Sequence, residues 1–188
     1  MKAKKVPRPR NAERTKAAIL AAAQQAFAEL GYSQAGIRNI AAIADVSSTL
    51  LLRYYGTKAA LFEAALIEAM PLAPLLATTR REALGQHLSH LFVDARLGIQ
   101  PPAIVALSTG DAEARAITAR VMQAHIIVPL AKWLGAPDAQ ARALQIVTLA
   151  MGFVLCTRQI PLMPESRGAE RKMAKWLAEA VQAVVDKS

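Results

Sequence analysis

Apolar residues recur three and four positions apart along most of the chain, and no segment keeps the two-residue alternation of a half-buried strand. The pattern predicts an all-α protein of about nine helices. In residues 11–30, Ile19, Leu20, Ala23, Phe27 and Leu30 fall on one side, and Gly31 supplies a stop. Two short helices follow within 37–58. A fourth helix opens at Thr57, whose hydroxyl suits a cap, and carries Leu61, Phe62, Ala65, Leu66 and Met70 toward Pro71 and Pro74. Further helices are expected at 79–97, 102–108, 111–133, 138–159 and 167–186. Pro101, Gly110, Gly135, Pro137, Pro161 and Pro164 punctuate them, and Asp111 and Asp138 stand at two of the starts.

The short pair carries the most information. Ile37, Ile40, Ala41 and Ala44 make one apolar face, and Val46, Leu51 and Tyr55 are spaced to close a second helix against it. Ala41 is small enough for a close approach. Asp45 falls where the backbone must reverse, and Asp tolerates the left-handed conformation better than most residues. Ser47 or Ser48 caps the second helix, which leaves Thr49 to Tyr54 as the exposed start of a recognition helix. The arrangement is a helix-turn-helix, a device for reading double-stranded DNA. Ser48, Thr49 and Arg53 are the candidates for base edges, Arg53 through a bidentate bond to guanine, with a phosphate contact as the alternative for it. Arg38 is placed to touch phosphate from the first short helix.

Charge sharpens this picture. The net charge is +9; residues 1–58 hold ten Lys and Arg against three acids, +7, and residues 59–188 hold thirteen against eleven, +2. The excess lies on the candidate DNA reader, as phosphate attraction requires. Pro7 and Pro9 are expected to keep the basic arm out of the first helix, leaving Arg8 and Arg10 to follow a minor groove or the backbone. The arm leads into a polar stretch rather than the apolar core of a signal peptide, so the expected location is cytoplasmic. The most apolar stretch, 144–157, contains Gln145 and is flanked by Arg142 and Arg158, which fits a buried helix rather than a membrane span. The single cysteine, Cys156, is expected to be a packed thiol. His87 and His90 are three apart but lack a third clustered ligand, so neither a metal nor a cofactor is expected.

The order of Phe27, Gly31-Tyr32, Ile40-Ala41, Val46-Ser47, Leu51, Arg53-Tyr54-Tyr55, Thr57-Lys58 and Leu61-Phe62 resembles the N-terminal domain of the TetR family of bacterial transcriptional regulators. The resemblance covers residues 11–62. It departs from the family pattern at Asp45, where a turn glycine is common, at Gly36, where a Ser or Thr cap is usual, and at Leu52, where tyrosine is frequent. It implies that Ser47, Tyr54 and Lys58 contact the DNA backbone. It also implies two parts: a three-helix reader with its basic arm over 1–58, and a helical bundle over 59–188 that encloses a small-molecule pocket and forms a homodimer through the last two helices.

Those two helices are more apolar than one side of a surface helix needs. Leu144, Val147, Met151, Val154, Trp176, Leu177, Val181 and Val184 are the candidate dimer interface. Candidate effector contacts are Phe92, Arg96, Met122, His125, Met151 and Phe153. The leading expectation is a homodimeric, ligand-responsive repressor of a palindromic operator. An architectural DNA-binding dimer without an effector is the second reading. An enzyme is disfavoured because the sequence shows no Ser/His/acid constellation, phosphate-cradling glycine loop or metal cluster.

Overall fold

The computed structural model describes residues 9–93, 101–160, 162, 164 and 166–187, and every regular element among them is helical. Helix α1 (Pro9–Gln34) starts earlier than expected. Pro9 occupies its first position, where the missing N–H has no partner to lose. Arg10 therefore belongs to the helix instead of a free arm, its side chain lying outside the described residues together with the whole of Arg8. Gly31 interrupts α1 as expected, with φ 70° and ψ 173°. The glycine is required twice over, because a Cβ there would also lie 2.5 Å from the Leu107 carbonyl oxygen.

Helices α2 (Ile37–Ile43), α3 (Ser48–Tyr55) and α4 (Lys58–Ala69) follow. Their first core gathers Ile19, Ala23, Phe27, Ile40, Leu51, Leu61 and Phe62, all fully buried, around edge-to-face rings of Phe27 and Phe62 at 4.9 Å and of Tyr32 and Phe62 at 5.0 Å. This core extends past residue 58: α7 (Pro101–Ser108) contributes Ile104 and Val105, and α8 (Ala112–Met122) contributes Ala114, Ile117 and Val121.

Beyond α4 the chain breaks at Met70 and Pro71 and forms one short helix that was not expected, α5 (Leu72–Thr78). The expected helix at 79–97 begins instead with a tight turn, Arg81–Ala83, that leads into α6 (Leu84–Val93). The expected helix at 111–133 is α8, a π-helical turn (Gln123–Ile127) and α9 (Val128–Leu134) in succession. Pro129, which lacks an N–H and crowds the carbonyl four residues back, accounts for the local widening. Helix α10 (Ala139–Val154) likewise ends in a π-helical turn (Leu155–Gln159), and α11 (Arg167–Val185) closes the fold. Asp111 caps α8 through its carboxylate, whereas Asp138 precedes α10 in a left-handed conformation and makes no side-chain cap.

The second core joins α6, α9, α10 and α11. Helix α6 meets α11 so closely that a Cβ at Gly85 would sit 2.2 Å from the Ala178 carbonyl oxygen, and Ser89 donates to the Ala174 carbonyl at 2.7 Å. This packing corrects half of the expected dimer surface. Leu177, Val181 and Val184 on α11 and Val154 on α10 are buried inside the protomer, between α11, α6 and α10. Val147 and Met151 line a cavity within the chain. Leu144 and Trp176 stay exposed, at 57% and 47%. Cys156, expected to be packed, is exposed on the π-helical turn after α10.

Among the described residues, two stretches, 58–78 and 139–159, are long and apolar enough by composition to cross a membrane. The first is broken between α4 and α5, and both place apolar side chains in the two cores.

The ends of α9 and α11 converge on arginines that the sequence pattern did not single out. Arg142, only 3% exposed, donates to the carbonyls of Gly135, Pro137, Val184 and Val185 at 3.3, 3.2, 3.0 and 2.7 Å. Arg81 donates to Leu134 at 2.9 Å and Val185 at 3.1 Å. No carboxylate shares in these bonds; the negative ends of two helices balance the charges. Replacing Arg142 with Met is expected to lower unfolding free energy by about 2–4 kcal/mol, because it strands buried carbonyls. Urea denaturation monitored by circular dichroism checks this, and a loss within error of zero would contradict it.

Candidate nucleic-acid interface and apolar cavity

The turn between α2 and α3 is built as the sequence suggested. Asp45 takes φ 53°, and its N–H donates to the Ala42 carbonyl while that of Val46 reaches Ala41 at 2.9 Å. Gly36 precedes α2 with no side-chain cap. Ser47 caps α3, its Oγ accepting the Leu50 N–H at 3.1 Å. Ile40, Ala41 and Leu51 are buried where the two helices meet, with Val46 and Tyr55 packed alongside. Burial turns the rest of α3 outward. Thr49, Leu52 and Arg53 are exposed, as are Ser47 and, on α2, Arg38, while Ser48 is half-buried. The structure thus presents Arg38, Ser47, Thr49 and Arg53 to solvent around one short, capped helix.

Tyr54 and Tyr55 are half-buried against the first core, and the Tyr55 hydroxyl donates to the Lys16 carbonyl at 3.3 Å. Burial raises the Tyr55 pKa above its ordinary value. Lys58, at the first turn of α4, is held by the protein itself. Its ammonium lies 4.4 Å from the Tyr32 ring centroid and donates to the Ser33 carbonyl at 3.4 Å.

Those contacts belong to a polar clasp between the end of α1 and the α7–α8 corner. The Tyr32 N–H donates to Ser108 Oγ at 3.2 Å, its phenol donates to Glu113 at 2.5 Å, and Ser33 Oγ donates to Asp111 at 3.0 Å. Desolvation and the bond to Glu113 raise the Tyr32 pKa. The Ala114 N–H, helped by the Ser33 hydroxyl, holds the Asp111 carboxyl below its ordinary value. An ion pair between Arg120 on α8 and Glu63 on α4, at 2.8 Å, adds a second polar link. Sequence pattern missed this clasp because its members lie more than seventy residues apart.

At its other end, α4 meets a cavity of about 600 Å³. Ala69 and Met70 form part of the wall, with α5, α6, α7, the α8–α9 rod and α10 supplying the remainder. Of the expected effector contacts, Phe92, Met122 and Met151 line it. Phe153 does not: it is buried in the second core. His125 is exposed on the outer side of its π-helical turn and is absent from the wall. Arg96 lies outside the described residues. The wall residues that sequence reasoning missed, such as Leu75, Leu88 and Ile126, share the apolar spacing of ordinary core positions. His87 shares a hydrogen bond with Thr79 at 3.2 Å, and His90 is exposed.

Comparison with known proteins bears on both halves. Residues 19–65 match the model of bacterial regulatory proteins of the tetR family, and residues 82–185 match that of the Tetracyclin repressor-like C-terminal domain. No curated protein matches the chain in sequence. Among solved structures, a TetR-family transcriptional regulator from Rhodococcus sp. superposes with a TM-score of 0.72 at 20% identity, covering 93% of this chain and 100% of that one. GusR from Salmonella enterica gives 0.64 at 20% identity over 95% and 100% of the two chains. The fatty acid degradation regulator FadR from Bacillus halodurans gives 0.64 at 17% over 92% and 98%. Identities this low establish a shared fold.

The clasp has a pH signature. With its pKa raised, Tyr32 keeps its proton in the folded state after the unfolded chain has begun to lose it near pH 10. Its contribution is complete below that pH and falls as pH climbs above it. Tyr32→Phe should therefore cost about 1 kcal/mol near neutrality, and the gap to the unaltered protein should narrow in alkali. Unfolding free energies measured across the alkaline range test this; a gap that widens with pH contradicts the assignment.

Proposed function

Because the chain belongs to the TetR family of bacterial transcriptional regulators, one of whose models matches more than half of it, we propose that it is a homodimeric, ligand-responsive repressor that binds a palindromic operator in the cytoplasm. The observation that carries the DNA-binding part is the exposed, Ser47-capped α3, which offers Ser48, Thr49 and Arg53 from a helix held by a buried Leu51. Residues 1–58 form the reading head and 59–188 the sensing and pairing body. Arg53 reads a base edge, with Ser48 and Thr49 beside it. Arg38, Ser47 and Tyr54 position the head on the backbone, and Arg8 and Arg10 add positive charge. Lys58, engaged with Tyr32 and Ser33, supplies field behind the recognition helix and reaches phosphate only by leaving them.

One recognition helix spans few base pairs, so specificity needs a second copy, with half-sites about 34 Å or a multiple apart. The pairing surface is the apolar strip left uncovered on the last two helices. Arg142 bonds Val184 and Val185, while Arg158 pairs with Glu170 at 3.5 Å, so α10 and α11 run antiparallel. Leu144, Thr148 and Gly152 on α10, continued by Leu155 at the start of the π-helical turn, make an exposed row, and Trp176 and Ala183 stand on the exposed side of α11. The effector enters the cavity bounded by the end of α4. Movement of α4 there is transmitted to α2 and α3 through their common core, which changes the separation of the two recognition helices. Such coupling requires the ligand to favour one separation over the other.

Selection of bound sequences from a random DNA pool tests the reading as a whole: enrichment of a two-fold symmetric site is expected, and no enrichment overturns it. Arg53→Ala should lose roughly 1–3 kcal/mol on the selected site and little on random DNA. Arg38→Ala should weaken both alike and reduce the salt slope by about one unit. Equal losses for Arg53→Ala on both DNAs would remove it from the base edges. Changing Leu144 and Trp176 together to Glu should give a folded monomer in sedimentation; a persistent dimer places the interface elsewhere.

A further inference from the structure

We propose that the cavity takes a neutral, apolar small molecule with a hydrocarbon body and excludes charged ones; this names the ligand class of the sensing site and rests on the reading given above. The argument comes from what the wall contains. Among its described residues no Lys, Arg, His, Asp or Glu takes part. The single hydroxyl, that of Thr78, already donates within its own helix, 3.2 Å from the carbonyls of Pro74 and Leu75. A charged group carried into this space would lose its water and meet no counter-charge among the described wall residues.

Two arginines on helices that border the second core are committed elsewhere. Arg142 and Arg81 bind the carbonyl ends of α9 and α11, and neither lines the cavity. The volume of about 600 Å³ suits a molecule of drug size or below. Met70, Met122 and Met151 with Phe92 give the wall three adaptable thioethers and one ring, surfaces that fit aromatic and aliphatic bodies of varied outline. Exposed Pro71, Pro74 and Leu91 stand at the opening to solvent. Filling the space presses on Ala69 and Met70, the end of the helix whose other end supports the DNA reader.

The test uses the full chain with isotope-labelled methionine methyl groups, observed by NMR during addition of para-xylene or terephthalate. The two probes have the same ring, and terephthalate carries a charge at each end, so no orientation leaves both charges in solvent. Para-xylene is expected to shift the methyl signals of Met70, Met122 and Met151 and to leave that of Met173, outside the cavity, in place. Terephthalate is expected to shift none of them at a concentration about tenfold higher. Val147→Trp, which fills the cavity from a half-buried position, should weaken para-xylene binding by about tenfold or more without lowering the melting temperature of the free protein. If that variant fails to fold, the methyl pattern of the unaltered protein decides alone. Equal shifts from terephthalate, or para-xylene shifts that spare the three wall methionines, overturn the proposal. Para-xylene binding that leaves the operator bound upholds the ligand class and refutes the effector role.

Discussion

Leu61, Phe62, Ala65 and Leu66 of α4 are fully buried, and no single neighbouring helix offers enough apolar surface to cover them. Helix α1 covers one side, α7 and α8 another, and α3 closes the start. Hiding α4 therefore draws the helix-turn-helix and the larger helical body into one hydrophobic core. At current estimates of about 25 cal/mol per Å² of apolar area, side chains of this size contribute roughly 1.5–3 kcal/mol each when removed from water. That makes an independent swing of α2 and α3 expensive, and it ties the helix-turn-helix to the helix whose far end borders the cavity.

The polar contacts follow the same logic at the two ends of the molecule. At the upper end Tyr32, Ser33 and Lys58 hold the close of α1 to the corner before α8, where Gly31 allows the backbone to pass against Leu107. At the lower end Arg142 and Arg81 gather the carbonyl termini of α9 and α11 without any carboxylate. A buried cation facing several carbonyls is satisfied by dipoles whose positions the helices already set. These two clusters bracket a middle that is almost entirely apolar, and in that middle lies the cavity.

Legibility varied with the range of the interactions. The helix-turn-helix was readable because its signals are local: Ile40, Ala41 and Leu51 fall at helical spacing, Asp45 occupies the reversal, and the Ser47 hydroxyl bonds an amide three residues on. The clasp, by contrast, joins Tyr32 to Glu113, and nothing in either local pattern selects the other. Residues of the last two helices were legible as apolar but not as belonging to any particular surface. Leu144 and Val154 look alike in sequence, yet one is 57% exposed and the other fully buried. Helix α6 covers the side of α11 that periodicity alone left open to a second chain.

By itself, the sequence determined the helical class, the place of the helix-turn-helix, the concentration of positive charge on that half and the hydroxyl caps of α3 and α4. Each depends on spacing within a few residues, so the chain carries it without knowing its neighbours. The tertiary structure alone decided which apolar residues became core, cavity wall or exposed strip, and which arginines were turned inward. Burial is a property of what packs on a side chain rather than of the side chain, and those partners come from elements a hundred residues apart.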